Sequence, residues 1–439
     1  MYLHGTSRIN SVGHLEIGEC DSIELVEKYG TPLYVYDEWL IREKCRRYLQ
    51  ACKESAVSFK VAYASKALGI RAIYQIIQEE GLHIDVVSGG ELYTALSIGF
   101  PPDRIHFHGN NKSEEEIELA LTAGIGCFVV DNFYELAMLD RLAKKHKKVV
   151  PILLRIAPGV ESDTHSYIST GRQDSKFGFD LATDQAYKAV NTALHSSSLH
   201  LLGLHSHIGS QIFDVKIFNS AVAIMIRFLS SLRSSLSFTA EVLNIGGGFG
   251  IRYHKEDTPL SEDGYIRAIM HTVKESFQMI NYPVPEIWIE PGRSIVGEAG
   301  TTLYTIGAIK EVPELCKYVS IDGGMTDNLR PALYQAKYEA LVANKANQPN
   351  EENVSIAGKC CESGDILIKD VSIPNVQSGD VLAVLCTGAY GYSMANNYNK
   401  IPRPPIVFVK GGKSALVVER ETYEDLIARE LQFCSNSAE

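Results

Sequence analysis

Between about residue 34 and residue 297, short apolar runs alternate with longer amphipathic segments, and nothing else in the chain limits its fold so tightly. The apolar runs fall at 33–36, 58–64, 83–87, 105–108, 127–130, 150–156, 201–208, 242–245 and 287–290. Helical periodicity fills most of the gaps, at 69–79, 91–98, 113–121 and 134–144 among others. A strand–helix unit repeated about eight times predicts a parallel sheet. The most economical form is a closed (β/α)8 barrel over 34–297, with a doubly wound open sheet as the alternative. After residue 297 the texture changes. Short β-like segments at 301–310, 318–322, 354–357, 365–369, 380–386 and 405–410 are broken by Gly, Pro and Asp. They predict a C-terminal antiparallel β domain, a sandwich or barrel over 298–439 that also takes in residues 1–33. A chain of 439 residues is long enough for both.

In a barrel of this kind, active-site residues gather at the C-terminal ends of the strands. Nearly every polar or Gly-rich position here lies at that end of its run. Lys66 follows the run 58–64, Asp85 stands within 83–87, and His108 closes 105–108. Arg155 ends 150–156, His205-Ser206-His207-Ile208-Gly209-Ser210 ends the next, and Gly246-Gly247-Gly248 and Glu290-Pro291-Gly292-Arg293 end the last two. Surface noise would scatter such residues.

Each has a chemical reading and a plainer one. A lysine at a strand end can be held in a pocket, where desolvation lowers its pKa and frees a nucleophilic amine for a Schiff base. It can equally cap the strand and point into solvent. Gly246, Gly247 and Gly248 let backbone N–H groups approach an anion such as phosphate, with Ser210 and Gly292 as further donors, or they form a tight turn. Glu290, at the end of Ile287-Trp288-Ile289, is costly to bury without a cationic partner. A pyridinium nitrogen or an arginine such as Arg293 would serve. His205 and His207 alternate on one strand and share a face, as do His106 and His108, so a metal-dependent hydrolase is a rival reading. The accompanying Lys, Arg, Gly and Ser are not the carboxylate-rich remainder that a metal site needs, and His207 is better placed to stack on an aromatic ring.

A net charge of −11 argues against nucleic acid or an anionic membrane as the main partner. No run approaches the ~20 apolar residues of a membrane span, and the opening residues lack signal-peptide features. Nine cysteines without framework spacing suit reduced thiols in a cytoplasm.

Tyr63-Ala64-Ser65-Lys66-Ala67, His205 to Gln211, Gly246 to Gly250 and Glu290 to Arg293 together resemble the fold-type III pyridoxal-phosphate decarboxylases. That family joins an alanine-racemase-like barrel to a β domain. Phe107 to Ser113, Arg330 to Tyr334, Cys361-Glu362-Ser363-Gly364-Asp365 and Gly388 to Ala395 resemble its branch that acts on meso-2,6-diaminopimelate. The resemblance implies pyridoxal 5'-phosphate on Lys66, with Asp85 nearby and His207 stacked on the ring. Ser210, Gly246, Gly247, Gly248 and Gly292 would hold the phosphate, and Glu290 the ring nitrogen. Arg293, Arg330, Tyr334 and Glu362 would bind the far end of the substrate, Tyr390 would touch cofactor and substrate, and Cys361 would donate a proton. It also implies a cytoplasmic homodimer with composite active sites, whose product is L-lysine, and no metal. Two positions depart from the family pattern: Leu68 stands where relatives often have asparagine, and Cys360 precedes Cys361.

Overall fold

The computed structural model describes residues 2–159 and 175–433. Two compact units emerge, one of residues 40–297 and one of residues 1–39 with 298–439.

In the first unit, eight parallel strands close into a barrel. In order they are Phe59–Ala64, His83–Val86, Ile105–Phe107, Cys127–Val130, Val150–Ala157, Leu199–His205, Val242–Asn244 and Glu286–Ile289, the last pairing back onto the first. The registers run Ala62 to His83, Ile84 to Ile105, Phe128 to Ile152, Leu204 to Leu243 and Trp288 to Lys60, all parallel. The strands are buried on both faces, which is why they read as continuous apolar runs without alternation.

The loops that leave these strands end in polar residues that start the next helix. Ser88, Ser113, Asn132, Asp214 and Ser261 each accept a backbone N–H of the first turn, and Ser113 and Glu116 complete a capping box. These caps start each helix from the end of the barrel that carries the candidate site residues. One loop pair carries a buried ion pair, Lys112 Nζ to Glu135 Oε1 at 2.6 Å, both side chains 1% exposed. Helix Val215–Leu236 is long and apolar enough to cross a membrane by length and composition. Here it buries Phe218, Val222, Met225 and Leu229 in the barrel unit, as an outer barrel helix should.

The barrel interior is partly polar. The His106 ring stacks on Trp288, 4.3 Å between centroids and 13° between planes, and Lys60 Nζ lies 4.5 Å over Trp288. Burial pushes His83 down to about 4 and His106 well below its ordinary value, so both rings are neutral at neutral pH.

The expected first barrel strand lies elsewhere. Leu33–Asp37 pairs antiparallel with Gly300–Val312 and parallel with Ile406–Lys410, inside the second unit. Its sequence is an apolar run followed by helix Glu38–Glu54, which is how a barrel unit reads. Only the pairing partner differs, and no local signal encodes that. Removing this run from the nine predicted leaves the eight that close the barrel.

The second unit is built around Gly300–Val312, which pairs antiparallel with Leu33–Asp37, Cys316–Ile321 and Val381–Val384. It is mainly antiparallel, with Cys316–Ile321 parallel to Glu352–Ala357 as well as the Ile406–Lys410 pair. Arg8–Ile9, Leu15–Ile17 and Cys20–Asp21 form a separate small antiparallel sheet.

Candidate active site

Glu290 sits just past strand Glu286–Ile289 and is 5% exposed. His205, the last residue of its strand, brings Nε2 to 3.1 Å from Glu290 Oε2. Asn244, the last residue of the next, donates from Nδ2 to Glu290 Oε1 at 2.6 Å, and His108 Nε2 lies 3.0 Å from that oxygen. Burial works against ionisation of Glu290, but His108 and His205 outweigh it and hold the carboxyl well below its usual range. Burial also lowers the pKa of His205, so its neutral ring donates from Nε2. Arg293, the arginine that the sequence offered as a partner, bonds to Ser210 and Tyr253, as described below.

Asp85 is 2% exposed, and its Oδ1 is 3.8 Å from His108 Nε2 with no hydrogen bond of its own. Burial raises it to about 6; the charges of His108 and Lys66 pull it down, and that of Glu290 pushes it up. Lys66 lies in the short turn Ser65–Ala67 beyond its strand and is exposed, not enclosed as a desolvated amine would be. The preceding Ser65 donates to Glu91 Oε2 at 2.7 Å, and Val87 N–H donates to the same oxygen at 2.7 Å. Glu91 thereby joins the Lys66 turn to the loop after Asp85.

His207 is half-buried, and its Nδ1 accepts Gly247 N–H at 3.2 Å. Burial, with the Lys66 charge second, drives its pKa well down, so the ring is neutral with its proton on Nε2. Arg293 donates from Nη2 to Ser210 Oγ at 2.9 Å and from Nη1 to the Tyr253 hydroxyl.

The three glycines are required by packing before any ligand arrives. A Cβ on Gly246 would sit 2.5 Å from Ser206 O, on Gly247 2.0 Å from Glu290 O, and on Gly248 2.3 Å from Gly209 O. Gly246 and Gly248 also have φ of +70° and +108°. The N–H of Gly246 is already given to Asn244 Oδ1 at 2.9 Å. Those of Gly248 and Gly292 have no partner among the described residues.

The other candidates belong to the second unit. Arg330 opens the short helix Arg330–Tyr334, is buried, and donates to the Tyr338 hydroxyl at 2.7 Å; Tyr334 is half-buried. Tyr390 is half-buried with φ of +60°. Cys361 and Glu362 are exposed on a loop. Cys360 is half-buried, and burial together with Asp365 pushes its thiol up to about 11. Of the adjacent thiols, Cys361 is the accessible one.

Residues 39–297 match the pyridoxal-binding domain of the pyridoxal-dependent decarboxylases. The chain is 58% identical over 433 residues to the diaminopimelate decarboxylase of Bacillus subtilis, covering 99% of each. The chain belongs to the diaminopimelate decarboxylases. The enzyme of that name from Halalkalibacterium halodurans is 57% identical, with 97% of both chains covered. Diaminopimelate decarboxylase from M. jannaschii, solved with L-lysine, superposes with a TM-score of 0.91 at 39% identity, over 97% of this chain and 98% of that one.

As a diaminopimelate decarboxylase, the chain is a pyridoxal-phosphate-dependent carboxy-lyase, and the barrel mouth fits that cofactor. An exposed amine, a buried carboxylate kept ionised, a neutral imidazole and free backbone N–H groups beside Arg293 are what an aldehyde, a pyridinium, a flat ring and a phosphate require. The ligand atoms of His108, His205 and Glu290 also lie within 4.8 Å of one another, and Asn244 donating into the same carboxylate makes this a hydrogen-bonded cluster. Asn244 and Tyr253 are not among the residues the sequence singles out; His108 is, as a strand-end polar residue and a possible metal ligand, without a role toward Glu290. Asn244 could have been found as the polar end of an apolar strand; Tyr253 lies beyond its strand in an irregular segment and leaves no such signal.

Proposed function

We propose that this chain decarboxylates meso-2,6-diaminopimelate to L-lysine and carbon dioxide, the closing step of lysine biosynthesis. What carries the reading is Glu290, buried yet held ionised by His108, His205 and Asn244, at the same barrel end as Lys66. Bound there, pyridoxal 5'-phosphate supplies an electron sink for the charge left when the carboxylate departs.

Lys66 would be the covalent anchor, and Glu290 would keep a proton on the ring nitrogen. Neutral His207 would pack against the ring and add no charge opposing that proton. Gly248, Gly292 and Ser210 would hold the phosphate, beside Gly246 and Gly247, whose own N–H groups go to Asn244 and His207, and Arg293, already on Ser210, would add its charge. Asp85, raised to about 6, can exchange a proton near Lys66 at neutral pH.

Arg293, Arg330 and Tyr334 receive the substrate's remote carboxylate, and Glu362 its remote ammonium. Tyr390 contacts both cofactor and substrate. Cys361, the exposed thiol of the adjacent pair, returns a proton to the carbon that lost carbon dioxide. Exposure of Cys361 and Glu362 supports a homodimer in which this loop completes the partner's site. A cytoplasmic location accords with free thiols at every described cysteine.

The deciding experiment incubates purified protein with the cofactor and meso-diaminopimelate and scores lysine and carbon dioxide. Ornithine consumed with no lysine formed would overturn the substrate and leave the chemistry standing. A fully active monomer on a sizing column would overturn the composite site.

A further inference from the structure

The loop that carries Cys361 and Glu362 is exposed from Cys361 to Gly364, yet its root at Asp365 is only 3% exposed. Asp365 Oδ2 accepts Cys360 N–H at 2.8 Å, and Oδ1 accepts Met325 N–H at 2.7 Å. Its backbone closes the same loop, accepting Gly358 N–H at 2.9 Å and donating to Glu362 O at 3.1 Å. Gly324 and Gly358 leave room for the carboxylate: a Cβ on either would lie 2.4 or 2.1 Å from Asp365 Oδ2. The other end of the loop is held from a third segment. Asn399, in left-handed backbone at φ +53°, accepts Cys361 N–H on Oδ1 at 2.8 Å. That segment is itself tied down, since Asn396 N–H donates to Thr326 O at 2.9 Å.

Two buried or turn-locked side chains therefore grip consecutive backbone N–H groups, Cys360 by Asp365 and Cys361 by Asn399. Neither grip touches the Cys361 thiol or the Glu362 carboxylate. We propose that Asp365 and Asn399 are positioning residues that set where Cys361 delivers its proton and where Glu362 meets the substrate ammonium. This rests on the roles given to Cys361 and Glu362 above. It also accounts for the last residue of Cys361-Glu362-Ser363-Gly364-Asp365, which those roles leave unused. A side chain left free to wander by about 1 Å can lose on the order of 10²-fold in rate, so a loop with an exposed tip needs a fixed root.

Asn399→Gly tests the idea, because glycine keeps the left-handed backbone and removes only the accepting oxygen. Asn399→Asp restores an acceptor. In cofactor-loaded enzyme, the alkylation rate of Cys361 by iodoacetamide is read by peptide mass mapping, beside kcat and KM for meso-diaminopimelate. Asn399→Gly is expected to change Cys361 labelling several-fold and to lower kcat/KM about ten-fold or more, with loss in both kcat and KM. Asn399→Asp should return both toward wild type, and Asp365→Asn, where it folds, should act like Asn399→Gly. Unchanged labelling and kinetics in Asn399→Gly would overturn the inference. So would lost activity with unchanged Cys361 labelling, or no rescue by Asn399→Asp. Full activity in Cys361→Ala would instead overturn the role of that thiol, and the two failures are separately visible.

Discussion

The barrel mouth and the Cys360–Asp365 loop both present polar groups for chemistry, but they are stabilised in opposite ways. At the barrel mouth the charged groups Glu290 and Arg293 are themselves buried and bonded to their neighbours: Glu290 takes His205 and Asn244, and Arg293 takes Ser210 and Tyr253. In the loop the working groups are exposed, and only the backbone beneath them is held, by Asp365 and Asn399. The difference suits the tasks. Charge on a cofactor must be tuned in low dielectric, where pairings are strong and fixed. A group that meets an incoming substrate must be reachable and gains from a fixed root.

The largest effect is expected at Lys66. Lys66→Ala should lose the visible absorption of bound cofactor and fall to background turnover, as checked by absorbance and lysine formation. A yellow, active variant would remove the covalent anchor from the barrel side. Next is Cys361→Ala, expected to lower kcat by about 10²- to 10⁴-fold, the usual worth of a positioned acid, while Cys360→Ala stays within a few-fold of wild type. Equal losses in the two would mean that exposure does not decide which thiol works. Glu290→Gln should lower kcat by about 10²- to 10³-fold with a smaller change in KM, since it removes a fixed charge and leaves substrate contacts in place. Glu362→Gln should do the reverse and raise KM by roughly ten-fold, about 1.4 kcal/mol, with less change in kcat. Together these two variants show whether chemistry and substrate choice are divided between the regions as proposed.

The smallest effect concerns stability in the β domain. Asp327 is buried, accepts Gly324 N–H at 2.8 Å, and is pushed up to about 7 by burial, with Asp365 adding to the rise. The folded state thus holds this proton more tightly than the unfolded chain, whose value is near 3.8. Its contribution to stability is then lost as pH rises from about 4 through about 7. Denaturant titrations of wild type and Asp327→Asn across that range should diverge, with the variant losing less stability. Parallel curves would show that the carboxyl is ionised in the fold at no cost.

Much of the barrel site was legible because each strand ends in the polar residue it delivers, so one-dimensional order already placed Lys66, Asp85, His205, Glu290 and Arg293 at one end. His108 was named by the same rule, and Asn244 obeys it too. Two alternatives that the sequence left open are narrowed by the structure. Lys66 is exposed, because a turn beyond the strand carries it clear of the core. The glycines at 246–248 serve the packing of neighbouring strand ends as well as any anion, a demand visible only when Ser206 O, Gly209 O and Glu290 O are in place. Asn399 could not be inferred at all, since its partner is a backbone N–H 38 positions away.

By itself the sequence determined the alternating strand–helix architecture, the chemistry at the strand ends and the resemblance that named a cofactor. These rest on local periodicity and residue type, which act over a few positions. Tertiary structure alone decided that Leu33–Asp37 leaves the barrel for the β domain and that Glu290 is held by two histidines and an asparagine. It also decided that Cys361 is exposed while Cys360 is half-buried. Each of these depends on which distant backbone or side chain arrives beside a residue, and burial and hydrogen bonding are set by that neighbour.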